Sequence, residues 1–292
     1  MSSATRKATI YAEDATVISQ LSFPGNQYVL RVEAPRAARH ARPGSFAHIT
    51  CDESIRLRRP LSIMRADPAE SWVEFLYKPV GHGLAKLALK KPGDSLSLLA
   101  PIGRGFELNA ARPRILAIGG GVGIPPMVFL ADRIKADKRF MPIVLMGSEI
   151  PFPFELTETQ HEVDGAPPEA AYGVALLEKW GIPSRLASQS TLPGCHSGYV
   201  TDLAEAILDT LSLTELAQVH ICACGPQAML TATASLAAAY DVECDLALEE
   251  YMACGVGGCA GCTVLVKTKD GDAMKRVCVD GPVFKSREIY PT

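Results

Sequence analysis

Ile115-Leu116-Ala117-Ile118-Gly119-Gly120-Gly121-Val122-Gly123-Ile124-Pro125-Pro126 runs from an apolar tetrapeptide through a glycine loop into the start of a helix. The uncharged run Ile115 to Ile118 reads as a buried strand. Met127, Leu130, Ala131 and Ile134 then recur at helical spacing. Proline in a first helical turn loses no hydrogen bond. A helix N-terminus presents free N–H groups and a positive dipole end, which suits a pyrophosphate, and glycines let a phosphate approach the backbone. The loop is neither G-x-G-x-x-G nor a Walker loop, and by itself it also reads as a tight turn packing a helix onto a sheet.

Downstream, Ile143-Val144-Leu145-Met146 and Val219-His220-Ile221-Cys222 read as further buried strands, and Gln227 to Tyr240 as a helix. Strands alternating with helices predict a parallel sheet with helices on its faces. Cys224-Gly225-Pro226 falls where the carboxyl edge of that sheet faces the glycine loop, the place where open α/β sheets bind ligands. Glu162 to Ala171 reads as a loop.

Upstream, Tyr28 to Val32, Phe46 to Ile49 and Trp72 to Tyr77 are short apolar runs. Pro24-Gly25-Asn26, Pro43-Gly44 and Pro92-Gly93-Asp94 punctuate them, a pattern of closely spaced strands in a barrel or sandwich. From about Leu246 the texture changes to Gly, Cys and short strands such as Thr263 to Lys267. Three modules are expected in order: an antiparallel β-barrel over 1–110, an α/β parallel-sheet domain over 111–245 and a small cysteine domain over 246–292.

A length of 292 residues suits two or three such modules. With 29 basic against 32 acidic side chains the net charge is −3, and no long run of one sign occurs, which argues against nucleic acid or an anionic membrane as partner. Ile115 to Ala131 is almost uncharged, but it is short for a membrane span and broken by glycine and proline. The stretch Met1 to Lys7 is polar with no apolar signal core after it, so a cytoplasmic protein is expected. Nine cysteines, an odd count without a signal peptide, argue against a disulfide framework.

Four of the nine crowd into the last forty residues, as Cys254-x4-Cys259-x2-Cys262 and then Cys278. That spacing matches the plant-type [2Fe–2S] pattern. Four thiolates must converge on a compact electron-rich core, so the loop has to wrap tightly. Gly255, Gly257, Gly258 and Gly261 remove Cβ atoms and let N–H groups approach the sulfurs. A Zn(Cys)4 site is the duller alternative, but such sites favour paired knuckles and only one short pair exists here. Four unrelated buried cysteines is the other. Cys51, Cys195, Cys222, Cys224 and Cys244 read as small buried side chains.

Arg59-Pro60-Leu61-Ser62, the glycine loop and Cys224-Gly225-Pro226 together resemble the ferredoxin–NADP reductase superfamily. Leu248-Glu249-Glu250, Met252-Ala253-Cys254-Gly255-Val256-Gly257-Gly258-Cys259 and Arg276-Val277-Cys278-Val279-Asp280-Gly281-Pro282-Val283-Phe284 are similar to the electron-transfer subunits of type B dihydroorotate dehydrogenase, over nearly the whole chain. The resemblance implies a flavin domain, an NAD(P) domain and a [2Fe–2S] domain, in that order. It places Arg59 on the FAD pyrophosphate, where guanidinium–phosphate bonding is strong, and Ser62 near the flavin N5. Leu61 stands where many members stack an aromatic ring on the flavin, an aliphatic variant that marks the dihydroorotate dehydrogenase branch.

Gly81-His82-Gly83-Leu84 would give a second phosphate contact through backbone amides, with His82 facing solvent, and Tyr77 and Lys78 would line the flavin site. Gly119, Gly120, Gly121, Val122 and Gly123 would take the nucleotide, and Cys224, with Gly225 and Pro226, would lie by the nicotinamide with no nucleophilic role. Glu149, after the strand Ile143 to Met146, could accept from a ribose hydroxyl and favour NAD over NADP. Cys254, Cys259, Cys262 and Cys278 would be the cluster ligands.

A nicotinamide exchanges hydride and an Fe–S cluster single electrons, so a flavin belongs between them. The resemblance implies an oxidoreductase subunit in a hetero-oligomer with an FMN-containing dihydroorotate dehydrogenase subunit of pyrimidine synthesis. The same modules also serve ferredoxin-linked transhydrogenases, hydrogenases and oxygenases, and the Glu162 to Ala171 loop with Cys195-His196 leaves room for such a partner. A non-catalytic redox sensor is the remaining alternative.

Overall fold

The structure, a computed structural model, describes residues 10–291. The polar stretch Met1 to Lys7 lies outside the described residues.

The first elements are β1 (Tyr11–Phe23), β2 (Gln27–Glu33), α1 (Pro35–His40), β3 (Phe46–Ile49), β4 (Arg59–Asp67), β5 (Trp72–Tyr77), α2 (Gly81–Leu87) and β6 (Ser95–Ile102). The six strands close an antiparallel barrel in the order β1-β2-β5-β4-β3-β6. Gly25 and Asn26 take φ of +77° and +57°, the left-handed pair that turns β1 back onto β2. Leu30, Ile49, Ile63, Phe75 and Leu98 point inward and are fully buried. The short helices α1 and α2 were not legible as helices. Each is only six or seven residues long, too short for the 3.6-residue period to show.

The second group comprises β7 (Arg114–Gly120), α3 (Ile124–Ile134), β8 (Met141–Gly147), β9 (Leu156–Glu158), β10 (Tyr172–Val174), α4 (Ala175–Lys179) and β11 (Ser184–Ser188). After them come β12 (His196–Ser197), α5 (Val200–Leu208), α6 (Leu213–Leu216), β13 (Val219–Cys224), α7 (Gln227–Ala239) and β14 (Glu243–Ala247). Gly119 and Gly120 still belong to β7, and only Gly121–Gly123 form the turn, as one 3-10 turn. The loop predicted over Glu162 to Ala171 is free of helix and strand, and Glu169 ties it to His196 at 3.1 Å.

Helix α3 explains the uncharged stretch that mimicked a membrane span. It lies between sheet and barrel: Met127, Val128 and Leu130 share one core with Val29, Met64 and Leu76 of the barrel, and Phe129 enters the barrel core itself. A helix covered on both sides is apolar all round. Among the described residues no helix is long and apolar enough to cross a membrane.

The last segment carries the hairpin β15 (Thr263–Thr268) and β16 (Gly271–Arg276), then β17 (Val283–Lys285) and α8 (Ser286–Ile289). β17 returns to the large sheet, whose order is β12-β11-β8-β7-β13-β14-β17, and it alone runs antiparallel there. Buried charges reinforce that edge. His220 Nε2 and Asp245 Oδ2 are 3.0 Å apart, and Lys285 Nζ stands 2.9 Å from Asp245 Oδ1 and 2.6 Å from Glu243. The side chain of Asp245 is 4 % exposed, whereas that of Lys285 is 48 % exposed. Asp245→Ala is therefore expected to lower the urea-unfolding free energy by about 3 kcal/mol, the cost of orphaning a buried partner, and Lys285→Ala by about 1 kcal/mol or less.

Candidate functional site

A cavity of about 1100 Å³ opens where barrel, sheet and cysteine segment meet. Arg59, Pro60, Leu61 and Ser62 of β4, Tyr77 and Lys78 at the end of β5, and Leu84 of α2 line it from the barrel side. Val122 and Cys224 line it from the sheet, and Glu249, Met252 and Gly261 from the segment that carries the cysteines. A second cavity, about 430 Å³, lies at the amino edge of the sheet between Arg114, Trp180 and Leu211. It gathers none of the motifs, and open α/β sheets bind at the carboxyl edge.

On the barrel side, Arg59 lies across the first turn of α2. A Cβ added to Gly83 would stand 3.0 Å from its Nε and 3.1 Å from Nη2, so the guanidinium packs closely on this turn and would have to shift by a few tenths of an ångström to admit a side chain. Nη1 donates to the carbonyls of Leu57 and Arg58 at 2.9 and 3.3 Å. Among the described residues Nε and Nη2 donate to no acceptor, which leaves two parallel donors beside the N–H groups opening α2, a fit for a diphosphate. Arg58 serves the barrel instead, donating to Ser97 O and Oγ at 2.8 Å each. His82 and Lys78 are exposed, and Ser62 is half-buried. Leu61 is 8 % exposed and packs into the barrel core, so it offers the cavity little surface. Tyr77 is buried, stacks on Tyr28 with centroids 5.6 Å apart and donates its hydroxyl to Gln20 at 2.8 Å, and burial raises its pKa.

On the sheet side, the glycine loop and Cys224-Gly225-Pro226 are in direct contact, since β7 and β13 pair with Gly119 opposite Cys224. A Cβ on Gly123 would lie 2.5 Å from the carbonyl of Cys224 and from Gly225 Cα, and one on Gly120 would lie 2.5 Å from Met229 Sδ. Gly123 is thus required by backbone packing as well as by any phosphate, whereas at Gly120 the flexible Met229 side chain would have to move. Gly121, at φ +54°, opens the turn. Cys224 is buried, and burial, then the Glu249 charge, raises its thiol well above the usual range, so it stays a neutral thiol. Glu149 is exposed beyond β8, outside the lining of the cavity, where its carbonyl accepts from Ser190 at 2.8 Å.

Glu249 was not singled out as a site residue by the sequence reading. It follows β14 by two residues and lines the cavity as an exposed side chain, and the surrounding protein raises its pKa by partial desolvation. Its only sequence signal was its place in the motif before Cys254.

In the cysteine segment two thiols meet directly, and the backbone of Cys259 lies beside a third. Cys259 N donates to Cys254 Sγ at 3.4 Å, and the Cys262 and Cys278 sulfurs are 3.4 Å apart. Cys262 and Cys278 are buried, Cys254 half-buried and Cys259 exposed. Burial would raise the Cys254 thiol, but the N–H groups of Val256, Cys259 and Gly258 outweigh it and bring the pKa down to about 6. Burial and the neighbouring Cys262 push Cys278 up to about 12 against the pull of the Gly257 N–H. Gly261 N donates to Cys259 Sγ at 3.4 Å. Among the described residues no three Cys, His, Asp or Glu groups converge on one metal ion. Four cysteines in one segment with N–H donors beside the sulfurs are the donor set that a two-iron cluster would take, with amides that temper its charge.

The iron–sulfur cluster binding domain of dihydroorotate dehydrogenase B matches residues 249–290. The dihydroorotate dehydrogenase B (NAD(+)) electron transfer subunit of Caldanaerobacter subterraneus subsp. tengcongensis is 32 % identical over 275 residues, 94 % of this chain and 97 % of that one. That of Bacillus caldolyticus is 35 % identical over 283 residues, covering 95 % and 98 %. Among solved structures, an NADH-dependent reduced ferredoxin-NADP oxidoreductase superposes with a TM-score of 0.71 at 22 % identity, over 94 % of this chain and 89 % of that one. The ferredoxin reductase in carbazole 1,9a-dioxygenase gives 0.61 at 20 % identity, over 80 % and 67 %. Those two likenesses establish the fold.

Gly123→Ala is expected to force the two sheet loops apart and lower stability by about 1–3 kcal/mol. Gly258→Ala, where an added Cβ meets nothing within 4 Å, should stay within about 0.5 kcal/mol in the same urea titration.

Proposed function

The chain belongs to the family of dihydroorotate dehydrogenase B electron transfer subunits, and from that premise we propose that it carries electrons between NAD(H) and a partner dihydroorotate dehydrogenase subunit by way of FAD and a [2Fe–2S] cluster. The carrying observation is the shared cavity: Arg59 to Ser62, Cys224, and Met252, Ala253 and Gly261 beside the cluster cysteines all line it. When bound, the flavin supplies the exchange between hydride and single electrons, and the cluster supplies one-electron transfer.

The residues of the chain bind and orient. Arg59 and the backbone of Gly81, His82, Gly83 and Leu84 hold the FAD diphosphate. Pro60, Leu61 and Ser62 form one wall of the flavin site, with Tyr77 and Lys78 at its edge. Gly119 to Gly123 and Cys224, Gly225 and Pro226 receive the nicotinamide nucleotide, and the buried Cys224 leaves the ring room to approach. Glu149 accepts from a ribose hydroxyl and disfavours the extra phosphate of NADP. Cys254 and Cys259 hold one iron, Cys262 and Cys278 the other. In this reading 1–110 is the flavin domain, 111–245 the nucleotide domain and 246–292 the cluster domain. The partner contains FMN, electrons run from dihydroorotate towards NAD+, and the complex works in the cytoplasm.

The test is an anaerobic visible titration of the purified protein with NADH and then NADPH. Bleaching of a flavin band together with a broad Fe–S absorption at low NADH supports the reading. A colourless zinc protein, or cofactors that neither nucleotide reduces, would overturn it. With an FMN-containing dihydroorotate dehydrogenase subunit added, dihydroorotate should drive NAD+ reduction.

Three variants sharpen the assignment. Cys254→Ser should lose most of its iron while retaining FAD. Arg59→Ala should bind FAD roughly tenfold or more weakly, as loss of a charge-assisted hydrogen bond predicts. Glu149→Gln should reduce the ratio of kcat/KM for NADH over NADPH by about fivefold, the effect of removing one repulsive charge of about 1 kcal/mol.

A further inference from the structure

His48 occupies the boundary between the flavin wall and the cluster loop. It lies on β3, paired with Pro60 of the flavin strand on one side and Leu99 of β6 on the other. The residue is 0 % exposed, and among the described residues neither ring nitrogen has a hydrogen-bond partner. A buried polar group left in that state costs about 1–3 kcal/mol, so an idle buried imidazole calls for an explanation.

Its surroundings supply one. A Cβ added to Gly255 would stand 2.8 Å from His48 Nδ1, so the ring packs closely against the residue that follows the first ligand cysteine. Gly255 is held at φ +67° there. The backbone of Met252 and Cys254 lies near the ring without forming a hydrogen bond to it. From the barrel side, Arg58 donates to the His48 carbonyl at 3.3 Å and is itself fixed to Ser97. The barrel side of the contact is thereby tied to β6.

We propose that His48 is a positioning residue that seats the Met252–Gly255 backbone on the flavin barrel and thereby tunes the [2Fe–2S] cluster independently of the flavin. The route runs through the loop. The Cys259 N–H donates to Cys254 Sγ at 3.4 Å, and hydrogen bonds to ligand sulfur help set a cluster's potential. The direction of that N–H depends on where the chain turns at Gly255, and His48 is the side chain against which it turns. The inference rests on the FAD and cluster reading given above.

The experiment uses the holoprotein and compares the parent with His48→Leu, which keeps bulk and removes the ring nitrogens, and His48→Gln, which restores an N–H. Iron and FAD content are measured first. A parent lacking either cofactor defeats the proposed function before His48 is tested. EPR-monitored redox titration then reads the cluster, and stopped-flow absorbance reads flavin bleaching by NADH.

Fully loaded His48→Leu is expected to show an altered EPR signal. Its cluster potential should shift by the equivalent of about a tenfold change in electron partition with the flavin, about 59 mV for a one-electron couple. The flavin bleaching rate should be unchanged, and His48→Gln should fall close to the parent. A loaded His48→Leu with the parent's potential and spectrum overturns the inference. If His48→Leu fails to load the cluster, His48→Gln decides: loading with a near-parental spectrum supports the role, and failure to load overturns it in favour of simple ring packing.

Discussion

The antiparallel pairing of β17 with β14 is the constraint on which the site depends. Between those strands the chain leaves the sheet, carries all four cluster cysteines and comes back. The pairing closes that excursion into a loop anchored at both ends, and Leu248 N donates to Pro282 O at 2.9 Å across its neck. The barrel holds the same neck. Arg104 N donates to Gly281 O at 2.6 Å, and a Cβ on Gly103 would lie 2.4 Å from Pro282 Cδ. Three parts of the chain are thus fastened at one place, and the cavity opens beside it. A loop tied at only one end would lose far more entropy in holding its sulfurs in register.

Electrostatics follow the same seam. Arg112, Glu243, Lys285, Asp245 and His220 form a continuous series of ion pairs from the start of the α/β domain to the returning strand. Only His220 and Asp245 are buried in this series, and a buried carboxylate penalises any register in which its partner is missing. A slip of β17 by one residue would turn Lys285 away from Asp245 and expose Phe284. Helix α3 contributes the other rigid element. Buried on both faces, it couples the barrel core to the sheet core and fixes the angle at which the flavin wall meets the glycine loop.

Much of the site was legible because its signals are local. The x4 and x2 spacing of Cys254, Cys259 and Cys262 is a property of one loop, and so is the strand–glycine–helix sequence after Ile115. Strands such as Phe46–Ile49 and Trp72–Tyr77 stood out because flanking turn residues bound them, and they form as read. His48 and Glu249 were not legible as site residues, since neither has a sequence neighbour that reveals its role. One is an inward residue of a short strand, the other a carboxylate two residues beyond a strand end. Only long-range packing sets them against Gly255 and Cys224. The contact between Gly123 and Cys224–Gly225 was partly foreseen, as two motifs at one sheet edge, but its closeness, a would-be Cβ at 2.5 Å, is a tertiary fact.

By itself the sequence determined the order of barrel, α/β sheet and cysteine segment and the x4, x2 spacing of Cys254, Cys259 and Cys262, because each rests on periodicity or on residues within a few positions of one another. The tertiary structure alone decided that the last strand re-enters the central sheet and that α3 is buried on both sides. It also decided that the Cys262 and Cys278 sulfurs meet, that the Cys259 N–H reaches Cys254 Sγ, and that a buried histidine of the barrel lies against Gly255. The reason is chain connectivity: these contacts join residues far apart in sequence, and their geometry is set by how whole sheets and barrels pack, for which a linear pattern carries no signal.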